Sequence, residues 1–181
     1  FHRSIPGYAP TPLLDAPAAA RAIGAARVVV KRETERFGLP AFKILGASWA
    51  TARALQRLLR DRGLPAPDLD EGFPALVEAV APLRPLTLCC ATDGNHGRAV
   101  AHMAKLFGFS SRIYVPEDMA PARIAAIEGE GAEVIPLPGT YDDAIARAAE
   151  DAASDCLVVS DTSWPGYTDI PGWVIEGYGT M

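Results

Sequence analysis

The chain is poor in the residues that build covalent or metal-bound frameworks: 181 residues carry three cysteines and three histidines. Too few cysteines are present for a disulfide scaffold, and none forms a CxxC pair. His2, His96 and His102 are too scattered to suggest a metal site, so no metal is expected. Charge of one sign is nowhere concentrated. The formal net charge of −5 is spread along the chain, leaving no basic face for a nucleic acid. No apolar run is long enough to cross a bilayer, and the first residues lack the layout of a secretory signal. A cytoplasmic protein without a membrane partner is the expectation. Lysine is scarce too: only Lys31, Lys43 and Lys105 carry an amine side chain.

What is abundant is apolar residue, 49% of the chain, enough to bury the core of one domain or two small ones. Short apolar runs bounded by turn residues predict buried strands over 86–91, 111–115, 132–137 and 156–160. Helical spacing predicts helices over 97–107, 121–130 and 141–153 between them. Strand and helix alternating in this way imply parallel strands joined by right-handed crossovers, an α/β fold. Upstream, 28–32 reads as a further strand and 48–62 as a helix, with Leu55, Leu58 and Leu59 inward and Arg53, Arg57 and Arg60 toward water. Pro65, Ala66 and Pro67, with the acidic stretch after them, form a connector. Cys89 and Cys90 are adjacent in a strand and therefore point to opposite faces as small apolar side chains, and Cys156 is read likewise. Glu33, Glu35 and Arg36 are read as a solvated loop.

Two motifs carry chemistry. Thr92-Asp93-Gly94-Asn95-His96-Gly97 joins an apolar strand to a helix through two glycines, where backbone N–H groups point outward and suit an anion. Gly94 and Gly97 allow the backbone to approach a ligand closely. About fifty residues upstream, Lys43 lies in the apolar stretch Ala41-Phe42-Lys43-Ile44-Leu45-Gly46-Ala47-Ser48, just ahead of the 48–62 helix. An apolar setting favours the neutral amine, the form that attacks a carbonyl carbon to make an imine. Alternatives stay open for several residues. Asp93 or Asn95 could cap the helix, His96 could be a packing residue, Asp161 could be a turn or cap, and Trp164 with Tyr167 could form either a site wall or a structural corner.

Phe42-Lys43 with Gly46-Ala47, then Gly94-Asn95-His96, resembles the tryptophan-synthase-β group of pyridoxal-phosphate enzymes, of fold type II. Asp93, Pro40-Ala41-Phe42-Lys43, the run Ser160 to Tyr167, Ile170-Pro171-Gly172-Trp173 and Gly177-Tyr178 are similar to its diaminopropionate ammonia-lyase branch. The resemblance implies a parallel twisted sheet with helices on both faces. It implies a small domain over about residues 47–165, with 1–46 and 166–181 belonging to a larger domain. Pyridoxal 5'-phosphate is implied as cofactor, carried by Lys43 and contacted by Asn95 and Gly94. Asp93, His96 and Asp161 are implied to meet a small amino-acid substrate, with Asp161 facing its β-ammonium. Lys43 and Asp93 are implied as bases on opposite faces, serving the L and D forms of diaminopropionate. The group's glycine-rich phosphate loop and pyridine-nitrogen partner would follow Met181, and a homodimer is implied. Two other readings compete: a threonine or serine dehydratase-like β-eliminase, and a non-catalytic interaction domain.

Overall fold

The computed structural model describes residues 1–151 and 156–181. An antiparallel ribbon of β1 (Leu13–Asp15) and β2 (Val29–Lys31), bridged by helix α1 (Pro17–Ile23), precedes the rest. Helices α2 (Lys43–Asp61) and α3 (Phe73–Ala79) lead into β3 (Thr87–Ala91). From there α4 (Asn95–Phe107), β4 (Ser110–Pro116), α5 (Pro121–Glu128), β5 (Glu133–Leu137), α6 (Tyr141–Asp151) and β6 (Cys156–Val158) alternate. Helix α7 (Asp169–Gly177) follows. Strands β3 to β6 make one parallel sheet in the order β5-β4-β3-β6. The fold is the expected α/β, with helices on both faces of the sheet.

The period of two along β3 sorts its side chains. Leu88 and Cys90 join Ile113 and Val115 in a core with α2 and α4, where Leu55, Leu59, Val100 and Met103 are fully buried. Each such leucine contributes about 1.5–3 kcal/mol by leaving water. On the other face, Ala91 and Tyr114 pack against Ala144 and Ala148 of α6, while Cys89 packs with Cys156 and Val158. The three cysteines are free and buried, and Cys89 and Cys90 do lie on opposite faces.

The order of the sheet also positions the site. From β3 the chain moves outward through β4 to β5, then returns to place β6 on the other side of β3. A crevice therefore opens between the carboxyl ends of β3 and β6, where the loops diverge, the usual place for a ligand in an open parallel sheet.

Several expectations are corrected. The 48–62 helix begins five residues earlier, at Lys43, because Ile44, Leu45 and Ala47 are buried in register with the rest of α2. The 97–107 helix begins at Asn95. The 132–137 strand is at the sheet edge and largely unburied rather than a core strand. The last residues of the 141–153 helix, 152 and 153, lie outside the described residues. Arg53 and Arg57 do not simply face water: their guanidinium groups stack over the Trp173 ring at 4.9 and 4.6 Å and pair with Glu176 and Asp169. They clasp α7 to α2. Arg36 is buried, not solvated. It holds Glu33 through two nitrogens at 2.6 and 2.9 Å, and bonds Thr11 and the Ala9 carbonyl.

His2 ties the two ends of the chain to α2. Its Nε2–H donates to the Leu45 carbonyl at 3.0 Å, and Nδ1 accepts from the Thr180 hydroxyl at 2.7 Å. Burial lowers its pKa to about 4. Below the ordinary value of 6.5 the unfolded chain takes up a proton that the folded chain refuses, so stability is lost as pH falls from 6.5 toward 4. The loss is on the order of 3 kcal/mol. Burial lowers His96 too, adding a slope of the same sign. Urea unfolding midpoints followed between pH 7 and 4 should show this decline, and His2→Gln should flatten it; a flat wild-type profile would contradict the assignment.

Candidate active site

The strand-to-helix turn after β3 is organised by a residue that the motif reading passed over. The Thr92 hydroxyl accepts from the Gly94 N–H at 3.0 Å and from the Gly97 N–H at 2.9 Å. It therefore caps the turn and the first turn of α4 together. Among the described residues, neither the Asp93 nor the Asn95 side chain takes that role. Both are exposed and face a cavity instead. Gly94 sits at φ 142°, a backbone state that a side chain would strain. Gly97 serves packing rather than close approach of a ligand: a Cβ there would collide with Thr92 and come within 2.7 Å of the Ile113 side chain.

The cavity, about 450 Å³, is bordered by Lys43 from α2, Asp93 to His96 from the turn, Arg123 from α5, Tyr141 from α6, and Asp161 with Thr162 beyond β6. All six of the predicted positions, Lys43, Asp93, Gly94, Asn95, His96 and Asp161, are thus brought to one crevice. Lys43 Nζ donates to Asp161 Oδ2 at 2.7 Å. His96 is buried, with its Nε2–H donating to the Val159 carbonyl at 2.8 Å. That carbonyl fixes the tautomer, leaving Nδ1 as a lone pair 3.7 Å from Asp161 with no hydrogen-bond partner among the described residues. His96 is therefore both a packed residue and a cavity wall.

Electrostatics reverse one expectation. Burial pulls the Lys43 pKa down, but the hydrogen bond and charge of Asp161 outweigh it, so the amine sits above its ordinary value as an ammonium. Burial would raise Asp161, yet the hydrogen bond and charge of Lys43 hold it below the usual carboxylate range. His96 is lowered by burial, with Asp161 opposing.

Arg123 and Tyr141 were not foreseen. Arg123 Nη1 donates to the Asp93 carbonyl at 3.1 Å, and the Tyr141 hydroxyl lies 3.3 Å from that of Thr162. Neither sits in a motif, so only the fold reveals them; Thr92 was legible as a hydroxyl two residues before a glycine. Trp164 and Tyr167 do not border the cavity. Their rings stack at 3.9 Å, and the Tyr167 hydroxyl accepts from the Ser160 N–H and donates to the Val158 carbonyl, both at 2.9 Å. They are a structural corner holding the segment that leads to Asp161.

A family profile described as pyridoxal-phosphate dependent enzyme matches residues 5–181. The chain belongs to this family. It is 40% identical over 182 residues to a diaminopropionate ammonia-lyase of Escherichia coli strain K12, covering all of this chain and 44% of that protein. The diaminopropionate ammonia-lyase of Salmonella typhimurium is 35% identical over 185 residues, again across the whole chain and 44% of the relative. The crystal structure of the Escherichia coli ammonia-lyase in apo form superposes with a TM-score of 0.88 at 38% identity, over 99% of this chain and 48% of that one. The chain thus spans less than half the length of the curated relatives it matches.

Within this family member, structural and cavity-facing positions of the same turn should separate by mutation. Gly97→Ala overpacks Thr92 and Ile113 and should cost about 1–3 kcal/mol in urea unfolding. Asn95→Ala, at an exposed position that caps nothing, should stay within about 0.5 kcal/mol of wild type. Equal losses would mean that Asn95 is structural after all.

Proposed function

We propose that this chain forms the lysine-bearing part of a pyridoxal-phosphate ammonia-lyase that converts 2,3-diaminopropionate and water into pyruvate and two ammonia molecules. The observation that carries the reading is the ammonium of Lys43 held by Asp161 at 2.7 Å inside the crevice. A carboxylate that already grips one ammonium there is suited to the β-ammonium of a diamino acid. A hydroxyl leaving group, as in a dehydratase, would leave that partly buried charge without an ionic partner. The identity to diaminopropionate ammonia-lyases across the whole chain supports the same choice.

The residues present fit pyridoxal phosphate. Lys43 borders a cavity of about 450 Å³, and two buried polar atoms, His96 Nδ1 and the Tyr178 hydroxyl, lack hydrogen-bond partners among the described residues. Lys43 would carry the cofactor, with Asn95 and Gly94 holding it from the turn. When bound, the cofactor supplies an electron sink for the carbanion left by Cα deprotonation. The backbone N–H groups of Asn95 and His96, at the start of α4, suit the substrate carboxylate. Asp161 binds the β-ammonium. Lys43 takes the Cα proton of the L form, and Asp93 that of the D form from the opposite side.

We further propose the division implied by the resemblance, with 1–46 and 166–181 belonging to a larger domain and 47–165 to a smaller one. The separation of the β1–β2 ribbon from the four-stranded sheet supports it. A homodimer is proposed on the resemblance alone, and a cytoplasmic location on the short apolar runs of the sequence. Among the described residues, no helix is long and apolar enough to cross a membrane.

Two variants of the full-length protein test these roles. Lys43→Ala should abolish both the visible absorption band that the cofactor acquires on a lysine and nearly all ammonia release; retention of both would remove the central assignment. Asp93→Asn should lower turnover of D-diaminopropionate by roughly 10²- to 10⁴-fold while largely sparing the L form. Equal losses for the two enantiomers would instead make Asp93 an electrostatic or carboxylate-positioning residue.

A further inference from the structure

Tyr178 ends α7 with a feature that packing alone does not account for. Its ring lies over Gly46 of α2, where a Cβ would come within 2.6 Å of its Cε1, so the glycine makes room for the ring. Phe42 meets the same ring edge-on at 5.0 Å. The ring thereby reaches the start of α2, and Lys43 Nζ is 5.8 Å from its centroid. Yet the hydroxyl is buried without a hydrogen-bond partner among the described residues. A phenylalanine would fill this space without stranding a polar atom.

The hydroxyl can do what Asp161 cannot. A carboxylate only accepts hydrogen bonds and therefore holds Lys43 as an ammonium. A phenol both accepts and donates, so it can hold the amine in either protonation state. Burial raises the Tyr178 pKa, keeping its O–H in place as a donor. The titratable groups facing Tyr178 are Lys43 and Asp161, and those facing Lys43 are Tyr178, Asp161 and His96.

We infer that the Tyr178 hydroxyl is a positioning group for Lys43, the partner that takes the amine when it leaves Asp161. Once Lys43 has turned from Asp161 to Tyr178, the carboxylate is free for a substrate ammonium, and Tyr178 gives up no proton in the exchange. The inference rests on Lys43 being the cofactor lysine.

The test uses the cofactor-free full-length protein mixed with pyridoxal phosphate, following the rate at which the visible band appears between pH 6 and 9. In Tyr178→Phe, Lys43 loses a partner that orients its amine and that, after Asp161, raises its pKa. The pH dependence of band formation should be displaced downward, and the rate at a matched fraction of neutral amine should fall about tenfold because the amine is no longer oriented. The thermal midpoint should be equal to or above that of wild type, since a buried unpaired hydroxyl has been removed. An unchanged rate and pH dependence would overturn the inference, as would a lowered midpoint with the pH dependence intact, which marks a purely structural residue. Lys43→Ala run alongside separates the two levels: a band that still forms there overturns the assignment of Lys43 itself.

Discussion

The contact between Lys43 and Asp161 joins residues 118 positions apart, one at the start of α2 and the other just past the last strand of the sheet. Its 2.7 Å geometry requires both elements to be fixed before the charges meet. Much of the molecule can be seen as the apparatus that fixes them. On one side α2 is held by the apolar core beneath it and by Arg53 and Arg57, which stack on Trp173 and pair with acids of α7. On the other side the Tyr167 hydroxyl bonds both Val158 and Ser160, so that the segment leading to Asp161 keeps its course.

The same economy is visible in the turn after β3. One hydroxyl, that of Thr92, satisfies the N–H groups of both Gly94 and Gly97. This leaves the side chains of Asp93 and Asn95 free for the crevice, whereas a helix capped by either would spend that side chain on the backbone. His96 is fixed from behind by the Val159 carbonyl, so a buried imidazole presents a defined lone pair toward Asp161. Three side chains from one turn thereby receive different environments: two exposed to the crevice and one buried beneath it.

The charge state of Lys43 shows why local sequence is a poor guide to acid–base behaviour. Its apolar neighbours argue for a depressed pKa, and burial does act in that direction. A carboxylate brought in from the far end of the sheet reverses the sign. Arg36 makes the same point in reverse, since a charged run that looks solvated folds inward once Glu33, Thr11 and the Ala9 carbonyl supply its partners.

What the sequence determined by itself is what depends on near neighbours. Alternating apolar runs and helical spacing set the α/β alternation, cysteine positions set which face of β3 each thiol takes, and the Lys43 and Asp93–His96 motifs marked residues that the fold brings to one crevice. Element ends were less legible, because α2 extends to Lys43 through burial against distant parts of the chain, and α4 reaches Asn95 through the Thr92 hydroxyl rather than through a cap by Asp93 or Asn95. Tertiary structure alone decided the strand order β5-β4-β3-β6, and with it the crevice that brings Asp161, Arg123 and Tyr141 to the turn. It also decided that Lys43 is an ammonium and that Tyr178 reaches it over Gly46. These depend on contacts between distant residues, and no local periodicity or propensity encodes the distance between them.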